Sequence, residues 1–153
     1  MIKSIPMNIR PYTAADAPVL ADIWLEASLA AHSFIPEDYW RDSKSRMEQE
    51  YLPNSENFVL EDDSGKAQGF ISLLGRHVAA LFVHPMAQGK GYGGALLRHA
   101  QQMFDELTLH VYKLNTDSAH FYAYHGFIII AQGVDTSTGA AELHMRWTKA
   151  QHL

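Results

Sequence analysis

The stretch H-V-A-A-L-F-V-H-P-M-A-Q-G-K-G-Y-G-G, which runs from His77 to Gly94, decides how the rest of this chain is organised. Its first half is typical of an apolar strand, and its second half carries four glycines in six residues. The segment A-L-L-R-H-A-Q-Q-M-F that follows predicts a helix. A glycine-rich turn at a helix N-terminus leaves backbone N–H groups free and adds the positive end of the helix dipole. The stretch therefore predicts a phosphate-binding loop.

Composition limits the classes of protein to which this chain can belong. Its 153 residues predict one domain spanning 1–153, long enough to bury an ordinary core. The absence of cysteine excludes disulfides and thiolate metal sites. A net charge of −5 argues against a nucleic-acid partner and suits basic small molecules or basic peptide segments. No apolar run reaches the roughly 18 residues of a membrane span, so we expect a cytoplasmic protein without a membrane partner.

Hydrophobic periodicity predicts a mixed α/β domain with the element order β-α-α-β-β-β-α-β-α-β-β. The predicted strands are 7–10, 57–62, 67–74, 77–83, 107–112, 127–132 and 141–147. The predicted helices are 14–30, 37–51, 94–104 and 115–125. Of the last two strands, F-I-I-I-A-Q is expected to be buried. The strand 141–147 is instead expected at an exposed edge, where it could pair across a homodimer; a monomer is the alternative.

The glycine-rich loop is compatible with more than one phosphate ligand. A P-loop needs Ser or Thr after the Gly-Lys pair, and here Gly91 stands in that position. A dinucleotide loop fits better, because Gly89, Gly91 and Gly94 satisfy G-x-G-x-x-G and Asp117 lies at a suitable distance for a ribose contact. However, a predicted hairpin meander precedes this loop where a doubly wound fold would have βαβ units. A dinucleotide-binding protein therefore stays as the less favoured alternative.

A third interpretation accounts for two motifs at once. The pattern Q-x-x-G-x-G, formed by Gln88, Gly91 and Gly93 after a strand ending in V-x-P, resembles the pyrophosphate loop of the GCN5-related N-acetyltransferases (GNAT), which bind acetyl-CoA. Downstream, Asn115–Phe127 is similar to the family's segment N-x-x-A-x-x-F-Y-x-x-x-G-F. The predicted element order also resembles the acyl-CoA N-acyltransferase fold of this family. The resemblance covers essentially the whole chain.

Within the family, the chain most resembles small bacterial single-domain members of the YiaC and YjaB type. The segments that carry this resemblance are W-L-E-A-S (24–28), H-S-F-I (32–35), D-Y-W-R-D (38–42) and A-A-L-F-V (79–83). Some proteins of this type acetylate protein lysines, which is a hint about the acceptor. A protein lysine, a protein N-terminus and a small amine all stay open as acceptors.

The resemblance assigns cofactor contacts to two parts of the chain. It implies that the strand ending at Val83 splays away from the 107–112 strand, so that main-chain groups of Leu81, Phe82 and Val83 bind pantetheine and polarise the acetyl carbonyl. Family members often carry Lys or Arg just after the F-Y pair, where this chain has A-Y-H, so the contact to the CoA 3′-phosphate stays unassigned. The other implied contacts to acetyl-CoA are Gln88, Gly89, Lys90, Gly91, Tyr92, Gly93, Gly94, Asn115 and Phe121. For Asn115, a simple helix N-cap is the alternative, and the two roles are compatible.

The resemblance also implies catalytic roles. Tyr122 occupies the position of the general acid that protonates the CoA sulfur; its alternative is a core aromatic. His77 stands where many relatives have a glutamate base, and His32, in the loop between the first two helices, is the second candidate base. Either histidine could instead be structural, with the proton leaving through water. No H-E-x-x-H motif occurs, and His120 and His125 do not share a helical face, so no metal is predicted.

The aromatic residues of the first two predicted helices suggest an acceptor pocket, although ordinary packing against the sheet is an equal alternative. The predicted wall of this pocket is Trp24, His32, Phe34, Tyr39 and Trp40. Without cysteine no cysteinyl acyl-enzyme can form, so we expect direct, sequential acetyl transfer. A non-catalytic acyl-CoA-binding sensor on the same fold is the main alternative.

Overall fold

A single mixed sheet organises the computed structural model, which describes residues 7–149. The strands are β1 (Met7–Pro11), β2 (Glu56–Asp62), β3 (Ala67–Leu74), β4 (His77–Val83), β5 (Glu106–Tyr112), β6 (Ile128–Val134) and β7 (Ala141–Thr148). The α-helices are α1 (Ala17–Ala31), α2 (Glu37–Arg46), α3 (Tyr92–Met103) and α4 (Thr116–Tyr124). Within this range the strand order is β1-β2-β3-β4-β5-β7-β6, and β4 with β5 is the parallel pair. The predicted mixed α/β class and element order are confirmed.

The first half of the sheet is the antiparallel meander that the turn signals predict. The β2–β3 turn is organised by Asp62, whose Oδ1 accepts hydrogen bonds from the backbone N–H groups of Ser64 and Lys66. Gly65 completes the turn with a φ of 82°, a conformation that glycine adopts without strain. The meander pairs β4 with β3 from His77 to Val83, with a register shift between Ser72 and Leu73.

Two helical layers cover opposite faces of the sheet. The first layer begins with a capping box between Thr13 and Asp16, and α1 then buries an apolar stripe that includes Leu20 and Trp24. This layer packs against Val59 and other residues of β2 and β3. On the other face, α3 and α4 bury the larger core cluster, which includes inward residues of β5 and β7. The predicted helix 37–51 is α2 followed by a π-helical turn over Met47–Tyr51.

The sheet opens in the middle. The β4–β5 ladder consists of two residue pairs, His77 with Thr108 and Val78 with Leu109. Beyond Val78, β4 continues beside β3 but no longer pairs with β5. The two strands therefore splay apart, as the family resemblance implies, and unpaired backbone of β4 faces the opening.

The two last strands do not have the expected places in the sheet. β7 lies between β5 and β6 and is paired on both sides, so the expectation of an exposed edge at 141–147 is wrong. β6 is the edge strand, and the expectation that it is buried is also wrong: Ile128, Ile129 and Ile130 are 42–54% exposed. Within residues 7–149, α4 packs on β5 and β6 pairs with β7 alone, so these isoleucines lie at the open edge of the sheet.

No helix within residues 7–149 combines the length and the apolar character needed to cross a membrane.

Candidate active site

Two cavities meet at the opening between β4 and β5. The first, here called the loop cavity, has a volume of about 470 Å³ and lies against the glycine-rich loop and α4. The second, called the wall cavity, has a volume of about 460 Å³ and lies between the α1–α2 layer and the sheet. Both are lined by Leu81, Val83, Gln88, Ser118 and Tyr122, so they are two ends of one continuous site.

The loop cavity is built mainly from backbone. Gly89 and Gly91 have φ angles of 83° and 84°, in the left-handed region that non-glycine residues avoid. Gly91 is the N-cap of α3, so the first-turn N–H groups of this helix point out of its end. Before the loop, the side chain of Gln88 donates to the carbonyl of Val83 at 3.2 Å. This arrangement of free N–H groups at a positive helix end suits an anionic group.

Tyr122 lies at the junction of the two cavities. It is on α4, only 9% exposed, and its ring packs against Phe121 and Phe127. Burial raises the pKa of its phenol above the ordinary value of about 10, so the side chain stays protonated at neutral pH. Its hydroxyl makes no hydrogen bond with any residue between 7 and 149, which leaves it free for a ligand.

Asn115 links the two sides of the site. Its Oδ1 accepts a hydrogen bond from the backbone N–H of Ser118 at 3.2 Å and so caps α4. Its Nδ2 lies 3.1 Å from Nε2 of His32, which comes from the end of α1. His32 is 7% exposed, and burial lowers its pKa from 6.5 to about 4. His32 is therefore neutral at pH 7.

His77 lies on the sheet floor of the wall cavity. Its Nδ1 is 2.8 Å from the hydroxyl of Thr108, its partner across the β4–β5 ladder. Its ring is 5.2 Å from that of His110, which in turn stacks on His144 at 4.4 Å. Burial lowers the pKa of His77 below 6.5, and the neighbouring charges of His110 and His144 lower it further. His77 is thus available as a neutral base near pH 7.

Aromatic side chains form the α1–α2 wall. Trp40 packs edge-on against Trp24 at 5.5 Å and lies 5.2 Å from the His32 ring. Phe34 and Tyr39 belong to the same aromatic cluster, but neither side chain lines the loop cavity or the wall cavity. Three buried polar atoms of this wall have no hydrogen-bond partner within residues 7–149: Ser28 Oγ, His32 Nδ1 and Trp40 Nε1.

The predicted residues fall into three groups. The loop cavity is lined by Leu81, Val83, Gln88, Gly89, Gly91, Tyr92, Gly93, Gly94, Phe121 and Tyr122. The wall cavity is lined by Trp24, His32, Trp40, His77, Leu81, Phe82, Val83, Gln88, Asn115 and Tyr122. Three predicted residues line neither cavity: Phe34, Tyr39 and Lys90.

Besides Ser118 of the second motif, four polar residues of the wall cavity were not predicted: His110, Tyr112, Asp135 and Glu142. The hydroxyl of Tyr112 donates to Asp135 Oδ2 at 2.5 Å and ties the β6–β7 turn to the cavity. Burial, then this contact, raises the pKa of Tyr112 above its ordinary range. Period-two alternation in L-T-L-H-V-Y and A-E-L-H-M-R-W already places His110, Tyr112 and Glu142 on the polar face of their strands. That signal could have found three of the four.

Within residues 7–149 no group of three or more His, Asp or Glu side chains is arranged to hold a metal ion.

Comparison with known sequences gives consistent matches. A family model described as "Acetyltransferase (GNAT) domain" matches residues 53–129. The peptidyl-lysine N-acetyltransferase YiaC of Escherichia coli K12 is 37% identical over 146 residues, which cover 95% of this chain and 99% of that protein. The peptidyl-lysine N-acetyltransferase YjaB of Salmonella typhimurium LT2 is 32% identical over 121 residues, which cover 79% of this chain and 83% of that protein. Both are of the types that the short sequence segments indicate.

Solved structures share the fold. The solution structure of apo YjaB from Escherichia coli has a TM-score of 0.83 at 28% identity and covers 96% of this chain and 98% of its own. The PaiA N-acetyltransferase from Thermoplasma acidophilum, solved in complex with coenzyme A, has a TM-score of 0.79 at 20% identity, with coverages of 94% and 99%.

Proposed function

This chain belongs to the GNAT family and is an N-acetyltransferase, and we propose that it moves the acetyl group of acetyl-CoA directly to the side-chain amine of a protein lysine. One observation carries this proposal: the β4–β5 opening joins a backbone-built anion site to a polar cavity, with Tyr122 at the junction. The choice of lysine is supported by relatives that are named peptidyl-lysine N-acetyltransferases. A non-catalytic sensor is not favoured, because these relatives are enzymes.

The loop cavity fits the CoA half of the cosubstrate. Backbone N–H groups at the start of α3 would hold the pyrophosphate, and the left-handed Gly89 and Gly91 let it approach closely. Main-chain groups of Leu81 to Val83, unpaired on the β5 side, would bind pantetheine and polarise the acetyl carbonyl. Asn115 retains one Nδ2 hydrogen after its contact to His32, and this hydrogen can reach a pantetheine oxygen.

The wall cavity would hold the lysine side chain, and His77 would act as the base. With its Nδ1–H donating to Thr108, the lone pair on Nε2 can take a proton from the ammonium group. The lysine nitrogen then forms a bond to the carbonyl carbon, and the bond from that carbon to sulfur breaks. Tyr122 donates its proton to the departing sulfur, and a solvent proton restores the phenol. The amide nitrogen's second proton leaves to solvent, so the products are N-acetyl-lysine and the free CoA thiol.

An acceptor screen tests the proposal. Acetyl-CoA is incubated with an N-terminally blocked lysine peptide, a lysine-free peptide with a free N-terminus, and a small polyamine, and the released CoA thiol is measured. We expect the blocked lysine peptide to react fastest. The same peptide with its lysine dimethylated is the matched control and should release no thiol above hydrolysis. Release with the polyamine alone would contradict the assignment of lysine while leaving the acetyltransferase activity intact.

A further inference from the structure

The Asn115 amide has a defined orientation, because one of its neighbours can only donate. A backbone N–H cannot accept a hydrogen bond, so the Asn115 atom facing the N–H of Ser118 must be the oxygen, Oδ1. The NH₂ group therefore faces His32. An amide NH₂ can only donate, so His32 Nε2 must be the acceptor in that contact.

This orientation determines the tautomer of His32. If Nε2 accepts a hydrogen bond, the proton of the neutral imidazole is on Nδ1. The lone pair that a general base needs is then occupied by Asn115, 83 residues away in sequence. The other nitrogen, Nδ1, is fully buried and has no hydrogen-bond partner within residues 7–149. Neither ring nitrogen is free to take a proton from an acceptor amine.

We propose that His32 is a positioning residue, whose Nε2 holds the amide of Asn115 and thereby fixes the start of α4 and the place of Tyr122. The kinetic test of this inference rests on the proposed function, whereas the contacts that support it do not depend on that function. Three contacts in series support it: His32 to Asn115 at 3.1 Å, Asn115 to the N–H of Ser118 at 3.2 Å, and the helical turn from Ser118 to Tyr122.

The His32 ring is held in place by packing. Phe34, Trp40 and Tyr112 surround it with ring centroids 5.0–5.7 Å away. This cage belongs to the α1–α2 wall and to β5, so His32 connects the wall cavity to the helix that carries the proposed acid. The ionisable side chain in ring contact with His32 is that of Tyr112, whose hydroxyl donates to Asp135. A protein substrate that presses on this wall would act on Tyr122 through the same series of contacts.

The first test is an NMR titration of the wild-type protein with ¹⁵N-labelled histidine, which needs no substrate. We expect His32 to show the Nδ1–H tautomer and not to titrate between about pH 5.5 and 8, because its pKa lies near 4. An Nε2–H tautomer would overturn the proposal. Titration of His32 at the same pH at which kcat/KM falls on the acidic side of its pH profile (its acidic limb) would also overturn it.

The second test compares two substitutions in the acetylation assay. Gln in His32→Gln places an amide oxygen near the position of Nε2 and can still accept from Asn115, whereas His32→Leu cannot. We expect His32→Gln to keep kcat within about 3-fold of the wild type and His32→Leu to lose roughly 3- to 10-fold, in line with one lost hydrogen bond. Both should keep the acidic limb of kcat/KM. The exposed His120→Gln on α4 is the matched control and should be unchanged.

The outcomes separate the two proposals. Loss of the acidic limb in His32→Gln would identify His32 as the base and overturn the positioning role. If the wild type acetylates no lysine peptide, the proposed function fails, and the NMR tautomer still decides the geometry. If His32→Leu does not fold, the glutamine variant and the titration of the wild type give the answer.

Discussion

The two cavities at the β4–β5 opening differ in how much they rely on backbone groups and on side chains. The loop cavity is lined by two short stretches of chain, 81–94 and 117–122, and its glycine loop offers backbone N–H groups. The wall cavity is lined by side chains from α1, α2, β3, β4, β5, α4, β7 and the β6–β7 turn. Binding by backbone groups depends on the backbone conformation and tolerates a change of side chain. Binding by side chains is instead lost when a side chain is replaced, even if the backbone conformation is kept. The four predictions below test this contrast, starting with Tyr122, which lines both cavities.

Tyr122→Phe should have the largest effect, because it removes the proposed proton donor at the junction. We expect kcat to fall about 10²- to 10⁴-fold, the usual contribution of a general acid. CoA affinity and stability should change little, since the hydroxyl makes no hydrogen bond within residues 7–149. Calorimetry with CoA alongside steady-state kinetics checks this split. Tyr124→Phe, at an 86% exposed neighbour, is the control, and a kcat near the wild-type value in Tyr122→Phe would contradict the role.

His77→Gln should have the next largest effect, on the side-chain half of the site. A base works only when it is unprotonated. Wild-type kcat/KM should therefore be at its plateau above the pKa of His77 and fall as the pH drops through that pKa, which gives the pH profile an acidic limb. Burial and the neighbouring histidines lower that pKa, which places the limb below 6.5. The variant should lose about 10²-fold at pH 7, the lower end of the usual contribution of a general base, and lose this limb. His99→Gln, on the far side of the sheet against Phe58, is the control; a surviving limb in His77→Gln would contradict the assignment.

Gly91→Ala tests the backbone half. A Cβ at this position meets no atom within 4 Å, so the cost is conformational: a φ of 84° disfavours alanine by about 1–2 kcal/mol. We expect the loop to shift and CoA to bind about 5- to 30-fold more weakly in calorimetry. Gly65→Ala is a matched control, because its φ is 82° and its surroundings are equally open, but it lies in the distant β2–β3 turn. Equal CoA affinity in both variants would show that the loop conformation does not matter for binding.

Glu142→Gln should have the smallest effect, at the edge of the wall cavity. The partly exposed carboxylate of Glu142 would attract a lysine ammonium group, and exposed ion pairs contribute about 0.2–1 kcal/mol. We expect KM for the lysine peptide to rise about 2- to 5-fold, less at high salt, with KM for acetyl-CoA unchanged. The exposed Glu56→Gln on β2 serves as the control. A change in KM for acetyl-CoA would contradict this role, because it would indicate that Glu142 acts on the cosubstrate and not on the lysine.

Sequence reasoning was most successful where neighbouring residues determine the structure. The hairpin turn at Gly65, the glycine loop and the Asn115 helix cap were all visible as local patterns. The antiparallel pairing of β2, β3 and β4 followed from the turn signals. It was wrong about β6 and β7, because F-I-I-I has the composition of a buried strand. Composition does not state whether another element covers a strand, and within residues 7–149 Ile128, Ile129 and Ile130 lie exposed on the edge strand.

The site shows the same division. The glycine pattern alone indicated an anion loop, and Asn115 and Tyr122 followed from a second motif in register with it. The choice between His32 and His77 as base could not be made from the sequence, since both are single histidines near the expected pocket. Our proposal of His77 rests on the different neighbours of the two side chains: an amide that occupies Nε2 of His32 and a hydroxyl on Nδ1 of His77.

The sequence by itself determined the order of the elements, the phosphate-type loop and the two motifs of the family, because turns, caps and periodicity depend on residues close together in the chain. Only the tertiary structure decided which strand lies at the edge, how far β4 and β5 splay, and which side chains meet in the wall cavity. These features depend on contacts such as that of His32 with Asn115, across 83 residues. Such contacts form only when separate elements pack on one sheet, so they cannot be predicted from local sequence patterns.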